Sequence, residues 1–251
     1  MRLILLAATL CLADAGPLAP QLPSYLKVCA HLDNQEFDKC AAKSGREAIP
    51  HLVKGDRKLK IPSFDPFEIT ELKISNGQGR GQMNLTLRDI KLHGLKDAYL
   101  HNTTSDFSKG HSAFALTVPE LKMLGMYDIS GQILLLPITG TGHINITLVD
   151  TTIVLPFNFT KVKINGIEYG TVPTAMVHLY PTRVYTHLDN LFNGDKLLGE
   201  EMNKFLDHHW REIFDELGPN MAAAFAEIFK ALANGIGKQF PFDVLFPETL
   251  P

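Results

Sequence analysis

The sequence predicts an α+β protein in which a long C-terminal helix is wrapped by a highly curved antiparallel β-sheet. Three observations predict it. From Leu59 to about Val184, strand-like alternations of apolar and polar residues follow one another with no helical period to serve as a crossover, the pattern of an antiparallel meander. The parity of those alternations slips: Met83, Leu85 and Leu87 are followed by Ile90 and Leu92, and Phe157 and Phe159 by Val162 and Ile164. One extra residue at each slip is a β-bulge, which bends a strand and raises its twist. From Asp195 to about Asn234 the period changes, with Leu198, Met202, Phe205, Leu206, His209, Ile213, Leu217, Met221, Phe225, Ile228 and Leu232 recurring every three or four positions.

Taken in chain order, the first element is a processing signal. Arg2, the apolar run Leu3 to Ala13 and the small residues Ala13 and Ala15 read as a secretory signal peptide over residues 1–15, cleaved before Gly16. A single domain over residues 16–251 is then expected. Removing Cys11 leaves Cys29 and Cys40, and an even count at short spacing in an oxidising compartment argues for one disulfide. Four sequons point to the same extracellular compartment: Asn84, Asn102, Asn145 and Asn158 each stand two residues before a threonine. Asn84, Asn145 and Asn158 fall on the outward parity of their strands, so glycans there would project away from the core.

Asn76-Gly77, Gly79, Gly81, Gly140, Gly142, Asn165-Gly166 and Gly170 are the turn signals between the strands. In the helical third, Asn193-Gly194-Asp195 supplies an N-cap and Asn234-Gly235 a stop. A continuous helix of about 40 residues would be roughly 60 Å long, but Pro219 predicts a kink or break near Gly218-Pro219. The first half of this helix carries a charged face, with Glu200 placed to pair with Lys204 one turn on. From Met221 to Ala233 only Glu227 and Lys230 are charged, which predicts burial nearly all round.

Composition narrows the function. Lys and Arg total 24 against 27 for Asp and Glu, a net charge of -3, which offers no basic footprint for nucleic acid. No stretch after the N-terminus has the length of apolar sequence that spans a bilayer, so stable membrane insertion is not expected. There is no Gly-x-Ser-x-Gly elbow and no His-Glu-x-x-His pair, and Gly77, Gly79 and Gly81 lie between strands with no helix after them. Neither enzyme chemistry, nor a metal, nor a cofactor is expected. The adjacent pair His208-His209 would face two sides of one helix, a poor arrangement for metal ligation. His209 lies on the apolar face, where it could hydrogen-bond the polar head of a ligand.

A long helix held in a curled sheet is an uncommon architecture, and the residues carry a resemblance. Cys29 with Cys40, Ile61-Pro62-Ser63-Phe64-Asp65-Pro66, Pro119-Glu120-Leu121 followed by Gly125-Met126-Tyr127, and Gly131 with Leu134-Leu135-Leu136-Pro137-Ile138 form its first part. Gly140-x-Gly142, Leu191-Phe192-Asn193-Gly194-Asp195, Trp210-Arg211-Glu212-Ile213 and Phe242-Asp243-x-Leu245-Phe246-Pro247 complete it. Together they span nearly the whole mature chain, which resembles the takeout and haemolymph juvenile-hormone-binding family of insects, within the wider TULIP group of lipid-binding proteins. No cysteine follows Cys40, which places the chain nearer the takeout branch than the moth hormone carriers with a second disulfide.

The resemblance implies a secreted, monomeric carrier that is not an enzyme, with a tunnel between helix and sheet for an elongated apolar molecule such as a terpenoid, fatty acid or quinone. It also implies an alternative in circadian, feeding or chemosensory output through a receptor. The expected lining comes from the sheet at Phe114, Leu116, Met123, Tyr127, Leu134, Leu136, Ile144, Ile146 and Met176, and from the helical region at Met202, Phe205, His209, Met221 and Phe225. Met83 and Met126 are expected to face the core with these methionines, because thioethers adapt to irregular apolar shapes.

Overall fold

The computed structural model describes residues 22–57, 59–76 and 83–250. The signal peptide expected over residues 1–15 and the turn glycines Gly77, Gly79 and Gly81 lie outside the described residues. The chain opens with helix α1 (Asn34–Leu52), whose Asp33 side chain accepts the Glu36 backbone N–H as an N-cap. Sequence reading missed this helix. The Cys29–Cys40 disulfide ties it to the irregular segment before it, closing a short loop worth about 2 to 3 kcal/mol in the chain-entropy model.

Eight strands follow: β1 (Phe67–Asn76), β2 (Met83–His93), β3 (Tyr99–Asp106), β4 (His111–Ile133), β5 (Leu136–Ile164), β6 (Ile167–Ala175), β7 (His178–Tyr180) and β8 (Arg183–Leu188). All pairings are antiparallel, in the order β1-β2-β4-β5-β6, with β3 on the first half of β4 and both β7 and β8 on β5. β5 has 29 residues and would run roughly 95 Å if straight. A compact chain of this length has a radius of gyration of about 18 Å, so the strand must curl. The bends fall where the parity slips. The β2–β4 register shifts between Arg88 and Lys91 around Asp89 (φ 51°), and Asp150 inside β5 also takes a positive φ (42°). A further β5–β6 shift lies between Asn158 and Thr160. The sheet is curled, not closed.

The turn chemistry departs from expectation at one hairpin. Gly140 and Gly142 lie inside β5, and Gly170 inside β6. The β4–β5 turn is Leu134-Leu135, with φ of 46° and 72°, although leucine pays for the left-handed region. The glycines serve close approach instead. A Cβ at Gly140 would sit 2.7 Å from the Tyr127 hydroxyl, and one at Gly142 would run into the Asp189 carbonyl oxygen. Asn165-Gly166 is a turn as expected, with φ of 51° and 87°.

The helical third is two helices, α2 (Lys196–His208) and α3 (Trp210–Gly237), before the single turn α4 (Phe242–Leu245). Asp195 caps α2 as expected, accepting the Leu198 N–H at 3.0 Å. The break falls at His209 (φ -99°, ψ 27°) and not at Pro219, which stays within α3. Pro219 is on the exposed side, where the carbonyl it leaves without a donor can meet water. At the end of α2, the Asp207 carbonyl takes the Arg183 guanidinium at 2.7 Å, supplying one of the donors a helix end lacks. Nor is Asn234 a stop, since α3 runs on to Gly237. The Lys204 partner is Glu201, three residues back, and not Glu200.

Two asparagines fasten these helices to the sheet in the same way. The Asn203 side chain accepts the Leu188 N–H (2.9 Å) and donates to its carbonyl (3.0 Å). Asn234 does likewise with Val172, at 2.8 and 3.0 Å. Each amide satisfies both backbone groups of one strand residue, as a neighbouring strand would. Asn203→Ala is therefore expected to cost about 2 to 3 kcal/mol, read as a lower urea midpoint; a loss below 0.5 kcal/mol, within the range of about ±0.5 for neutral surface changes, would show that the bridge is dispensable.

α3 touches both edge strands, β1 and β6, as well as β7 and β8, and so lies across the opening of the curl. The main core joins Leu87, Ile90, Val118, Leu121, Met123, Tyr127 and Leu148 of the sheet with Met202, Leu206, Met221 and Ala226 of the helices. Burial of α3 is one-sided: Met221, Ala222 and Ala226 are buried, whereas Ala223, Glu227 and Ala231 are exposed. The expectation of near-complete burial fails because an open curl covers only one side of the helix.

Candidate ligand-binding site

A groove of about 750 Å³ lies where the β4–β5 hairpin meets the helices. Three elements build it. The Leu134-Leu135 turn brings Leu136 and Pro137 to one wall. A 3-10 turn over Phe192–Gly194, with Asn193 at φ 57°, sets Phe192 beside them. α2 supplies Leu198, Glu201, Met202, Lys204, Phe205 and His208, and the break supplies His209. Six of the ten lining residues are apolar, with the ionisable groups all on the helical side. This is the usual make-up of a pocket for a largely apolar ligand.

The segment leading into α2 is clamped from below. The Tyr127 hydroxyl donates to the Asp189 carbonyl at 2.6 Å, and Gly140 and Gly142 leave room for that segment to lie on β5. Burial, then the nearby Asp189 and Asp128 charges, push the Tyr127 phenol up to about 12, so it stays the neutral donor this bond needs.

The expected lining residues divide into groups. Leu136, Met202, Phe205 and His209 come together in the groove. Met123, Tyr127, Ile144 and Met221 are buried in the main core, with Leu116, Ile146 and Phe225 packed half-buried against it. Phe114 meets Phe157 and Phe229 at ring separations of 6.2 Å or less, joining sheet to α3. Leu134 is spent on the turn. Met176 is 59% exposed and does not face the core, since it follows the last residue of β6. Met126 is also misplaced: it pairs with His143 on the outer face, because the inward parity of this stretch belongs to Met123 and Tyr127. Pro137, Phe192, Leu198, Glu201, Lys204 and His208 were missed as groove residues. Their only sequence signal was membership of the Leu134 to Ile138 and Leu191 to Asp195 segments or of the helical pattern.

The break also overturns the reading of the histidine pair. Both rings reach the same groove, 4.9 Å apart and nearly perpendicular, and His209 packs on Phe205 at 4.5 Å. A second cavity of about 480 Å³ lies among Asp89, Lys91, Leu124, Met126, His143, Ile144 and Asn145. Among the described residues, no cluster of three or more His, Cys, Asp or Glu is placed to hold a metal. No helix there is long and apolar enough to cross a membrane. The four sequon asparagines are all exposed.

An open antiparallel curl with a long helix across it and a largely apolar groove beside that helix is the architecture of a binding fold. The chain belongs to the haemolymph juvenile hormone binding protein family, whose family model matches residues 4–247. It is similar to the circadian clock-controlled protein daywake of Drosophila melanogaster, 25% identical with 97% of this chain and 94% of that protein covered. The daywake protein of Drosophila yakuba is 22% identical, with 89% and 88% covered. Among solved structures, Takeout 1 of Epiphyas postvittana superposes with a TM-score of 0.75 at 27% identity, covering 85% of this chain and 98% of that one. The fold expected from the sequence and the resemblance on which the family rested are both upheld.

Proposed function

We propose that the protein is a secreted carrier that holds one elongated apolar molecule, a terpenoid, fatty acid or quinone, with an end in the groove between the β4–β5 hairpin and α2. The observation that carries this reading is the groove itself, with Leu136, Pro137, Phe192, Leu198, Met202 and Phe205 unfilled by neighbouring side chains. The half-buried Leu116, Ile146 and Phe225 between sheet and α3 support an extension of the ligand towards Phe114. Enclosing about 400 Å² of apolar ligand is worth about 10 kcal/mol before the cost of immobilisation, which puts micromolar binding within reach. The four exposed sequon asparagines and the Cys29–Cys40 disulfide suit an extracellular life.

Mass spectrometry of an organic extract of the secreted protein, beside its native mass, tests this. About one apolar molecule per chain is expected. A ligand-free protein that also refuses fluorescent fatty acids and terpenoids would sink the reading. Leu198→Trp gives a sharper check, because Leu198 lines the groove yet is 51% exposed and its replacement should leave the core intact. Taking up roughly 60 Å² of the ligand's apolar contact should weaken uptake about tenfold, and unchanged affinity would move the ligand elsewhere.

A second reading follows from the clock-controlled relatives: the carrier presents its ligand to a receptor in a timed output. Leu135 (82% exposed) and Leu197 (70%), each next to a groove residue, would be the contact. Pull-down that is lost with Leu135→Ser, at unchanged ligand uptake, would support it.

A further inference from the structure

The four sequon asparagines are alike in sequence but not in surroundings. Asn158 is taken up by the sheet: its amide donates to the Thr174 hydroxyl at 2.9 Å, and its carbonyl oxygen lies 3.0 Å from His111 Nδ1. Asn145 is the one of the four in the wall of the second cavity. The hydroxyl of its own sequon threonine, Thr147, donates to the Asn145 carbonyl oxygen at 3.3 Å. That leaves the amide nitrogen, the atom that bonds a glycan, without a partner among the described residues.

The cavity lies on the outer face and crosses four strands at one level. Lys91 of β2 pairs with Leu124 of β4, Leu124 with Asn145 of β5, and Asn145 with His187 of β8. Outward positions of such a sheet are ordinarily polar, yet Leu124 is 36% exposed and Met126, also in the lining, is only half-buried. An apolar spot there calls for a cover. The groups around it carry little net charge to hold an ion, since Lys91 stands with Asp89 in the lining and His187 Nε2 lies 3.1 Å from an Asp189 carboxylate oxygen. A pyranose ring has the matching make-up, with C–H bonds across its faces and hydroxyls round its rim.

We propose that Asn145 carries an N-linked glycan whose first N-acetylglucosamine lies in this cavity, against Leu124 and Met126, and ties β5 to its neighbours β4 and β8. This rests on the secreted reading. The donor is a polyprenyl-diphosphate oligosaccharide of the secretory compartment: the sugar C1–N bond forms, the C1–O bond to the diphosphate breaks, and one amide proton leaves with the diphosphate. Adjacent strands lie only about 4.8 Å apart, so a sugar rooted at Asn145 reaches the side chains directly opposite on both sides. Being tethered, it meets them without the entropy cost of a second molecule.

The test uses the full chain secreted from cells held at high-mannose glycans. Peptide N-glycosidase F is applied to the native protein, and release at each sequon is followed by mass spectrometry of the peptides. Asn145 should be occupied, and its glycan should come off about tenfold more slowly than from the double variant Leu124→Ser, Met126→Ser, as expected if roughly 60 Å² of apolar surface is covered. After trimming to a single sugar with endoglycosidase H, Asn145→Gln should lower the thermal midpoint by about 3 °C. The same change in the double variant should cost nothing, and Asn102→Gln should cost nothing in either. Secreted protein that is bare at Asn145 overturns the proposal and leaves the carrier reading standing. So does an Asn145 glycan released equally fast from parent and double variant, with the Asn145→Gln midpoint unchanged. A chain that stays in the cell without glycans fails the secreted reading, and the proposal falls with it.

Discussion

Gly142→Ala is expected to lower stability by about 3 kcal/mol and to lose ligand uptake with it. The added Cβ would collide with the backbone carbonyl of Asp189 and press on Asn190. A backbone carbonyl cannot swing aside as a side-chain end can, so the whole segment from Asp189 to Leu191 must lift from β5, at the upper end of overpacking costs. That segment carries the Tyr127 bond and leads directly into Phe192 and α2, so the groove should open as the clamp fails. Urea unfolding read by circular dichroism gives the stability change, and uptake of a fluorescent fatty acid gives the other half. Gly235→Ala is the internal control. It lies inside α3 with nothing within 4 Å of an added Cβ, so the helix propensity of alanine should make it neutral to about 1 kcal/mol stabilising. Equal behaviour of the two variants would refute the close-approach account of Gly142.

Replacing the hairpin pair, Leu134→Asn with Leu135→Gly, should act in the opposite direction and raise stability by about 2 kcal/mol. Both leucines hold positive φ, at roughly 1 kcal/mol or more each, and Asn-Gly is the pair such two-residue turns prefer. Leu135 is 82% exposed, so little burial is lost in exchange. A thermal midpoint several degrees higher is the expected result; an unchanged or lower midpoint would mean that these leucines make contacts that repay the strain. A gain in stability alongside weaker ligand uptake would show that the costly turn is kept for what it does at the groove.

The large organisation of this protein was legible in local pattern because it rests on local physics. Alternation of period two marked the sheet, the parity slips at Asp89 and around Asn158 marked its bends, and the three-four spacing marked the C-terminal helices. Asp195 read as an N-cap because its side chain reaches only three residues ahead. Cys29 and Cys40 paired because they are close in sequence as well as in space. What failed to show were decisions made by residues far apart in the chain. Gly140 and Gly142 look like turn residues until Tyr127, Asp189 and Leu191 are seen against them.

The helix break belongs to the same group. Pro219 is the local signal for a break, yet the chain turns at His209, where Arg183 of β8 takes the Asp207 carbonyl. The same turn brings His208 and His209 to one groove, which no helical wheel would allow. By itself, then, the sequence determined the run of strands and the C-terminal helical region, where the sheet bends and the family to which the chain belongs, but not helix α1. Only the tertiary structure decided where the helix breaks and which side chains meet in the groove. Periodicity records how each residue sits relative to its chain neighbours, whereas a binding site is set by contacts between elements distant in the chain, whose backbone groups find their partners only when the fold has closed.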